Sequence, residues 1–163
     1  MACWQGEMTL AQLPELAQWL CACAAPGDVW LLQGPMGSGK TTLVQAMARQ
    51  WGVTQAVTSP TYGLMSVYPE ATLSVVHVDA YRATTPSLQQ QVMDELTPTL
   101  EAENAVVLVE WGEQLADLAP WVTGTLCWLP TPIDAPETVR NLQVSLNATT
   151  IAGAVRMVGE ALQ

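Results

Sequence analysis

From Leu10 to Ala24 the apolar side chains return at loosely helical intervals, and Pro26-Gly27-Asp28 closes the run, so the spacing predicts a first helix with Thr9 at its N-cap. Val29-Trp30-Leu31-Leu32 follows a different pattern, a continuous apolar run between a turn signal and glycines, as in a strand buried on both faces. Thr41 to Trp51 is rich in helix formers and stops at Gly52, a suitable C′ residue. Pro60 disfavours helix at Ser59, so Thr58 to Thr61 reads as a loop and Tyr62 to Tyr68 as a strand closed by Pro69. Two further buried strands are predicted, Leu73 to Val78 ending at Asp79 and Ala105 to Val109 ending at Glu110, with a short helix, Ser87 to Leu96, between them. The last third reads as strands near Val122 to Leu129 and Asn141 to Leu146, then a closing helix from Thr150 to Leu162, with Pro130 to Pro136 a surface excursion.

Helices alternating with apolar strands imply a single α/β domain over residues 1–163: a three-layer fold with a central, mostly parallel sheet and helices on both faces. An antiparallel edge is compatible with the pattern. Half of the residues are hydrophobic, yet Asp, Glu, Gln or Pro interrupts each run before the roughly 20 apolar residues of a membrane span. Residues 1–7 lack the basic start, apolar middle and small-residue cleavage site of a secretory signal, so the expectation is a cytoplasmic protein. Cys3, Cys21, Cys23 and Cys127 match neither a zinc nor a disulfide spacing and are read as reduced packing residues.

Fifteen acids against five bases give a net charge of −10. Such a surface repels a phosphate backbone, so no direct nucleic-acid binding is expected, and any role on RNA passes through a partner. The bases themselves are Lys40, Arg49, Arg82, Arg140 and Arg156, and Lys40 is the sole lysine.

That lysine completes Gly34-Pro35-Met36-Gly37-Ser38-Gly39-Lys40-Thr41, a match to G-x-x-x-x-G-K-[ST] placed after a strand and before a helix, which makes the expected three-layer fold P-loop NTPase-like. The glycines let successive N–H groups turn inward on phosphate oxygens, and the helix N-terminus adds its dipole. Lys40 is expected at the β and γ phosphates of ATP, Thr41 on Mg²⁺ and Thr42 near the α phosphate. The competing reading is a glycine turn that merely caps a helix, but chance yields the pattern in only about one chain of this length in 200.

P-loop enzymes also need a carboxylate at the end of a neighbouring buried strand to fix Mg²⁺ or to orient water. Asp79 and Glu110 both close such strands, at the sheet edge where ligands bind. His77 shares a face with Asp79 two residues on, which suits a packed or supporting position. Tyr81 and Arg82 follow where the chain leaves the sheet; Arg82 could neutralise phosphate or pair with one of the many acids.

In four separated motifs, the P-loop, Ser59-Pro60-Thr61-Tyr62, His77-Val78-Asp79-Ala80-Tyr81-Arg82 and Glu110-Trp111, the chain resembles the TsaE (YjeE) ATPases of bacteria. The match is dense from Pro26 to Trp111 and sparse afterwards. The resemblance implies a Mg-dependent ATPase, weak alone, needed to make threonylcarbamoyladenosine in tRNA with the TsaD–TsaB complex. It also implies Thr41 and Glu110 as Mg²⁺ ligands, Asp79 as a catalytic or water-positioning carboxylate, and Ser59 to Thr61 as a switch-like loop near the γ phosphate, with Thr61 counted beside Asp79 and Glu110 among the catalytic residues. Trp111 would shape the site and Arg140 would lie near the nucleotide base. The chain departs from the family pattern at Pro35-Met36, where Asp-Leu is usual, and around Gln89 to Glu95 after the Tyr-Arg pair.

Rival readings are constrained by the scarcity of bases. A GTPase would read guanine through Asn-Lys-x-Asp, which needs a second lysine. A nucleoside or small-molecule kinase shares the loop and size but brings several Arg or Lys residues over the transferred phosphoryl group. A non-enzymatic nucleotide-responsive module would dispense with Asp79 and Glu110.

Overall fold

A computed structural model of the chain describes residues 2–58, 64–68 and 73–146. In chain order the elements are β1 (Ala2–Thr9), a 3-10 turn (Leu10–Gln12), α1 (Leu13–Cys23), β2 (Val29–Gln33), α2 (Lys40–Gln50), β3 (Met65–Tyr68), β4 (Val75–Asp79), α3 (Pro86–Ala102), β5 (Val106–Glu110), 3-10 turns Gly112–Gln114 and Ala116–Trp121, β6 (Gly124–Leu129) and β7 (Val139–Leu146).

Among the described residues the strands form one seven-stranded sheet in the order β1-β7-β6-β2-β5-β4-β3. Its centre, β6-β2-β5-β4, is parallel throughout. Antiparallel strands flank it on both sides, β3 against β4 and the pair β7 and β1 beyond β6. The alternation of side chains along each central strand supplies two cores. Trp30, Leu32, Val75, Val106 and Leu108 face α1 and α2, meeting Leu16, Leu20, Leu43 and Met47. Val76, Val78, Val107 and Val109 face the other way, onto Val92, Leu96 and Leu100 of α3 and Leu115 and Leu118. Each such fully buried aliphatic side chain contributes about 1.5–3 kcal/mol. The three-layer α/β arrangement with helices on both faces is the one the hydrophobic pattern predicts.

Several boundaries differ, for local reasons. β1 was absent from the sequence reading although Trp4 and Met8 point inward between exposed Cys3, Gln5 and Glu7, a period-two signal weakened by Gly6. The first helix starts at Leu13 rather than Leu10 because Thr9 N–H donates to Gln12 Oε1 (2.8 Å) and closes a 3-10 turn. α3 runs past Leu96 and through Pro98 to Ala102, since Leu100 extends the buried stripe and Glu103, at φ 48°, ends the helix. All four cysteines are free; Cys21 and Cys23 pack against the first core, but Cys3 is exposed, correcting its reading as a packing residue. The predicted closing helix, Thr150 to Leu162, lies outside the described residues. Among those described, no helix is long and apolar enough to cross a membrane.

Candidate functional site

β2 ends at Gln33 and α2 begins at Lys40, so Gly34 to Gly39 form the loop at the C-terminal edge of the parallel sheet. Gly37 and Gly39 stand at φ 78° and 111°, a region costly for residues with a Cβ. At Gly34, also at positive φ (154°), contact adds to the constraint, since a Cβ there would fall 2.8 Å from the Trp128 Cβ. Trp128, on β6, thus backs the loop, a position the sequence reading did not single out.

Lys40 is buried and folds back over this loop. Its Nζ donates to the carbonyls of Gly34 (2.7 Å) and Pro35 (2.9 Å) and approaches Ser38 Oγ (3.5 Å). The ammonium also lies 4.5 Å from the centroid of the Trp111 ring, within cation–π range. Burial lowers the Lys40 pKa from its ordinary 10.5, while the charges of Glu110, Glu113 and Asp79 pull it back up. Glu113 was not anticipated; it lies two residues after Trp111, whose left-handed backbone (φ 59°) turns the chain at the end of β5. A bulky residue in that conformation costs on the order of 1–3 kcal/mol. The Trp111 ring meets Lys40 on one hand and Tyr81 on the other, the latter at 5.1 Å between centroids.

Glu110 is buried at the end of β5. Its Oε1 accepts the Thr41 hydroxyl at 2.8 Å and lies 2.9 Å from His77 Nε2. Asp79 is its register partner on β4, and Asp79 Oδ1 accepts the Tyr81 N–H (3.0 Å). A cleft of about 260 Å³ joins these groups, lined by Met36, Gly37, Gly39, Lys40, Thr41, Thr42, Asp79, Tyr81, Glu110 and Trp111.

The folded chain therefore brings together the loop residues, Thr41, Thr42, both strand-end acids and Trp111. Pro35 is exposed and enters through its carbonyl, and Ser38 is buried behind the loop. Arg140, on β7, is not in the cleft lining but abuts the loop from outside: Nε donates to Ser38 O (3.3 Å), and Nη1 to Val139 O (2.9 Å) and Glu137 O. Ser59, Pro60, Thr61 and Tyr62 lie outside the described residues.

Residues 8–131 match the family model described as "Threonylcarbamoyl adenosine biosynthesis protein TsaE". That span includes the loop, Asp79 and Glu110 but stops short of Arg140. A curated protein of Mycobacterium tuberculosis strain H37Rv, named tRNA threonylcarbamoyladenosine biosynthesis protein TsaE, is 39% identical over 116 residues, covering 68% of this chain and 67% of its own. A protein of the same name from Bacillus subtilis is 34% identical over 105 residues, covering 64% and 63%. The crystal structure of Bacillus subtilis YdiB superposes with a TM-score of 0.68 at 21% identity, over 99% of this chain and 94% of that one, a likeness of fold.

Proposed function

The chain belongs to the TsaE family of threonylcarbamoyl adenosine biosynthesis proteins, and from that footing we propose that it binds Mg·ATP at Gly34 to Thr42 and hydrolyses it, weakly alone, in support of TsaD and TsaB. The observation that carries this reading is the 2.8 Å bond from Thr41 to Glu110 beside Lys40, which joins the first turn of α2 to the end of β5. A hydroxyl and a carboxylate are hard oxygen donors suited to magnesium, which typically takes one or two protein ligands and leaves the rest to water and phosphate. Among the described residues no group of three or more His, Cys, Asp or Glu could hold a metal, and a site completed by the nucleotide needs none. Magnesium held by Thr41 and Glu110 would neutralise charge on the phosphate oxygens.

Within this reading each side chain has one task. Lys40 exchanges the Gly34 and Pro35 carbonyls for phosphate oxygens, and the N–H groups of the loop hold the rest of the anion. Asp79, on the rim of the cleft beside Glu110, orients or activates the attacking water. Trp111 and Tyr81 cover the cleft, and Thr61 is proposed, by family resemblance, as a further catalytic residue. Arg140, tied to the outside of the loop at Ser38, flanks the side proposed for the adenine base. The acidic surface supports a protein partner rather than direct contact with tRNA.

ATP turnover measured for the protein alone, with TsaD and TsaB, and with a panel of small hydroxyl acceptors tests the proposal. Slow hydrolysis that rises with TsaD and TsaB is expected. Transfer of phosphate to an acceptor, or no effect of those partners, would contradict it.

A further inference from the structure

We infer that His77 is a positioning residue for Glu110, holding its carboxylate so that one oxygen is committed to the protein and the other is left for metal. The inference rests on the proposed reading of Glu110 as a magnesium ligand.

His77 is the only histidine, and it is fully buried in the middle of β4. Its neighbours along the strand are Val75, Val76 and Val78, all buried, and its register partner is Leu108. A valine or leucine would suit that position, because a buried polar ring is costly unless its nitrogens are matched. They are matched only in part: among the described residues Nδ1 has no hydrogen-bond partner, and Nε2 makes its contact with Glu110 Oε1 at 2.9 Å. A carboxylate accepts, so in a neutral ring the hydrogen sits on Nε2 and Nδ1 carries a bare lone pair. The imidazole thus contributes one bond, and that bond goes to the strand-end acid.

The contact decides how Glu110 is presented. Oε1 takes two donors from different elements, His77 Nε2 from β4 and Thr41 Oγ1 from α2 at 2.8 Å. Oε2 has the longer approach to Thr41 Oγ1, 3.1 Å, as its partner among the described residues. Two anchors on one oxygen fix the rotation of a side chain that otherwise has several rotamers to lose on binding. Partners that orient a ligating carboxylate affect metal affinity without touching the metal.

The test uses the full chain, ADP as the probe and calorimetry over a magnesium series. His77→Leu, which keeps bulk and removes the donor, is expected to raise the magnesium concentration for half-maximal ADP binding on the order of tenfold, with ADP affinity in chelator unchanged. His77→Gln places an amide N–H near the Nε2 position and is expected to restore the magnesium requirement to within about threefold of wild type. In a Glu110→Gln background His77→Leu adds no further loss, because the residue acts through Glu110. If the leucine variant does not fold, His77→Asn replaces it: its amide stops at the Nδ1 position, and the same rise in magnesium requirement is expected. An unchanged requirement in the leucine or asparagine variant overturns the inference while leaving the metal reading intact. Equal loss in the leucine and glutamine variants with and without metal marks a packing role and overturns it too. A wild-type protein whose ADP affinity ignores magnesium defeats the metal reading itself, and this inference with it.

Discussion

Thr41 Oγ1 lies 2.8 Å from Glu110 Oε1, a bond between residues 69 positions apart that closes the first turn of α2 onto the end of β5. Lys40 precedes Thr41 in the same turn, so the contact also fixes where the ammonium enters the loop. The glycine loop, a hydroxyl and a carboxylate thereby share one cleft.

Glu110 and Asp79 are register partners with different surroundings, and their variants are expected to separate. Glu110→Gln should raise the magnesium requirement for nucleotide binding roughly tenfold. Asp79→Asn, at the more open position, should lower turnover roughly 100-fold with little change in affinity. Calorimetry and steady-state turnover with TsaD and TsaB check both; wild-type behaviour of the two variants would contradict the division of roles.

Gly112 is a packing constraint behind the cleft. A Cβ there would come within 2.5 Å of Leu31 Cδ2 and 2.9 Å of the stiffer Val109 Cγ1. Gly112→Ala is therefore expected to cost about 1–3 kcal/mol and to displace Trp111 beside it. Chemical denaturation should show the midpoint falling; an unchanged midpoint would mean that the Leu31 end yields without cost.

Cys21 donates its thiol to the Met47 carbonyl (3.5 Å), and burial, reinforced by Cys23, pushes its pKa up from 9.0 to about 12. The folded chain holds this proton more tightly than the unfolded one. The resulting stability is complete below the unfolded value of 9.0 and is lost as pH rises towards about 12. Near neutral pH a thiol reagent should modify exposed Cys3 and spare Cys21 until denaturant is added. Mass spectrometry of timed labelling decides it, and rapid native labelling of Cys21 would contradict the packing described.

The central architecture was legible because each buried strand is a short apolar run with a polar residue at its end: Val-Trp-Leu-Leu before the glycines, Val-Val-His-Val before Asp79, Val-Val-Leu-Val before Glu110. The two acids at those ends also line the cleft. What stayed hidden depends on contacts between distant parts of the chain. Trp128 backs Gly34 only because β6 pairs with β2, and Glu113 reaches Lys40's field only because Trp111 turns with a positive φ. The pairing of His77 with Glu110 follows from the parallel register of β4 and β5, which spacing alone does not set.

A net charge of −10 leaves few cations for RNA, and Lys40 and Arg140 are engaged at the loop. Filter binding of tRNA to the isolated protein is expected to be negligible at physiological salt, since non-specific affinity comes largely from phosphate neutralisation. Tight, salt-sensitive binding would contradict the indirect role proposed here.

Lys40 is the most direct test of the site as a whole. Calorimetric titration of ADP with magnesium into wild type and Lys40→Ala should give saturable binding in the first and a loss of roughly tenfold to 100-fold in the second, with the thermal midpoint of the free protein close to wild type. Undiminished affinity in Lys40→Ala, or no saturable binding by the wild-type protein, would contradict nucleotide binding at this loop.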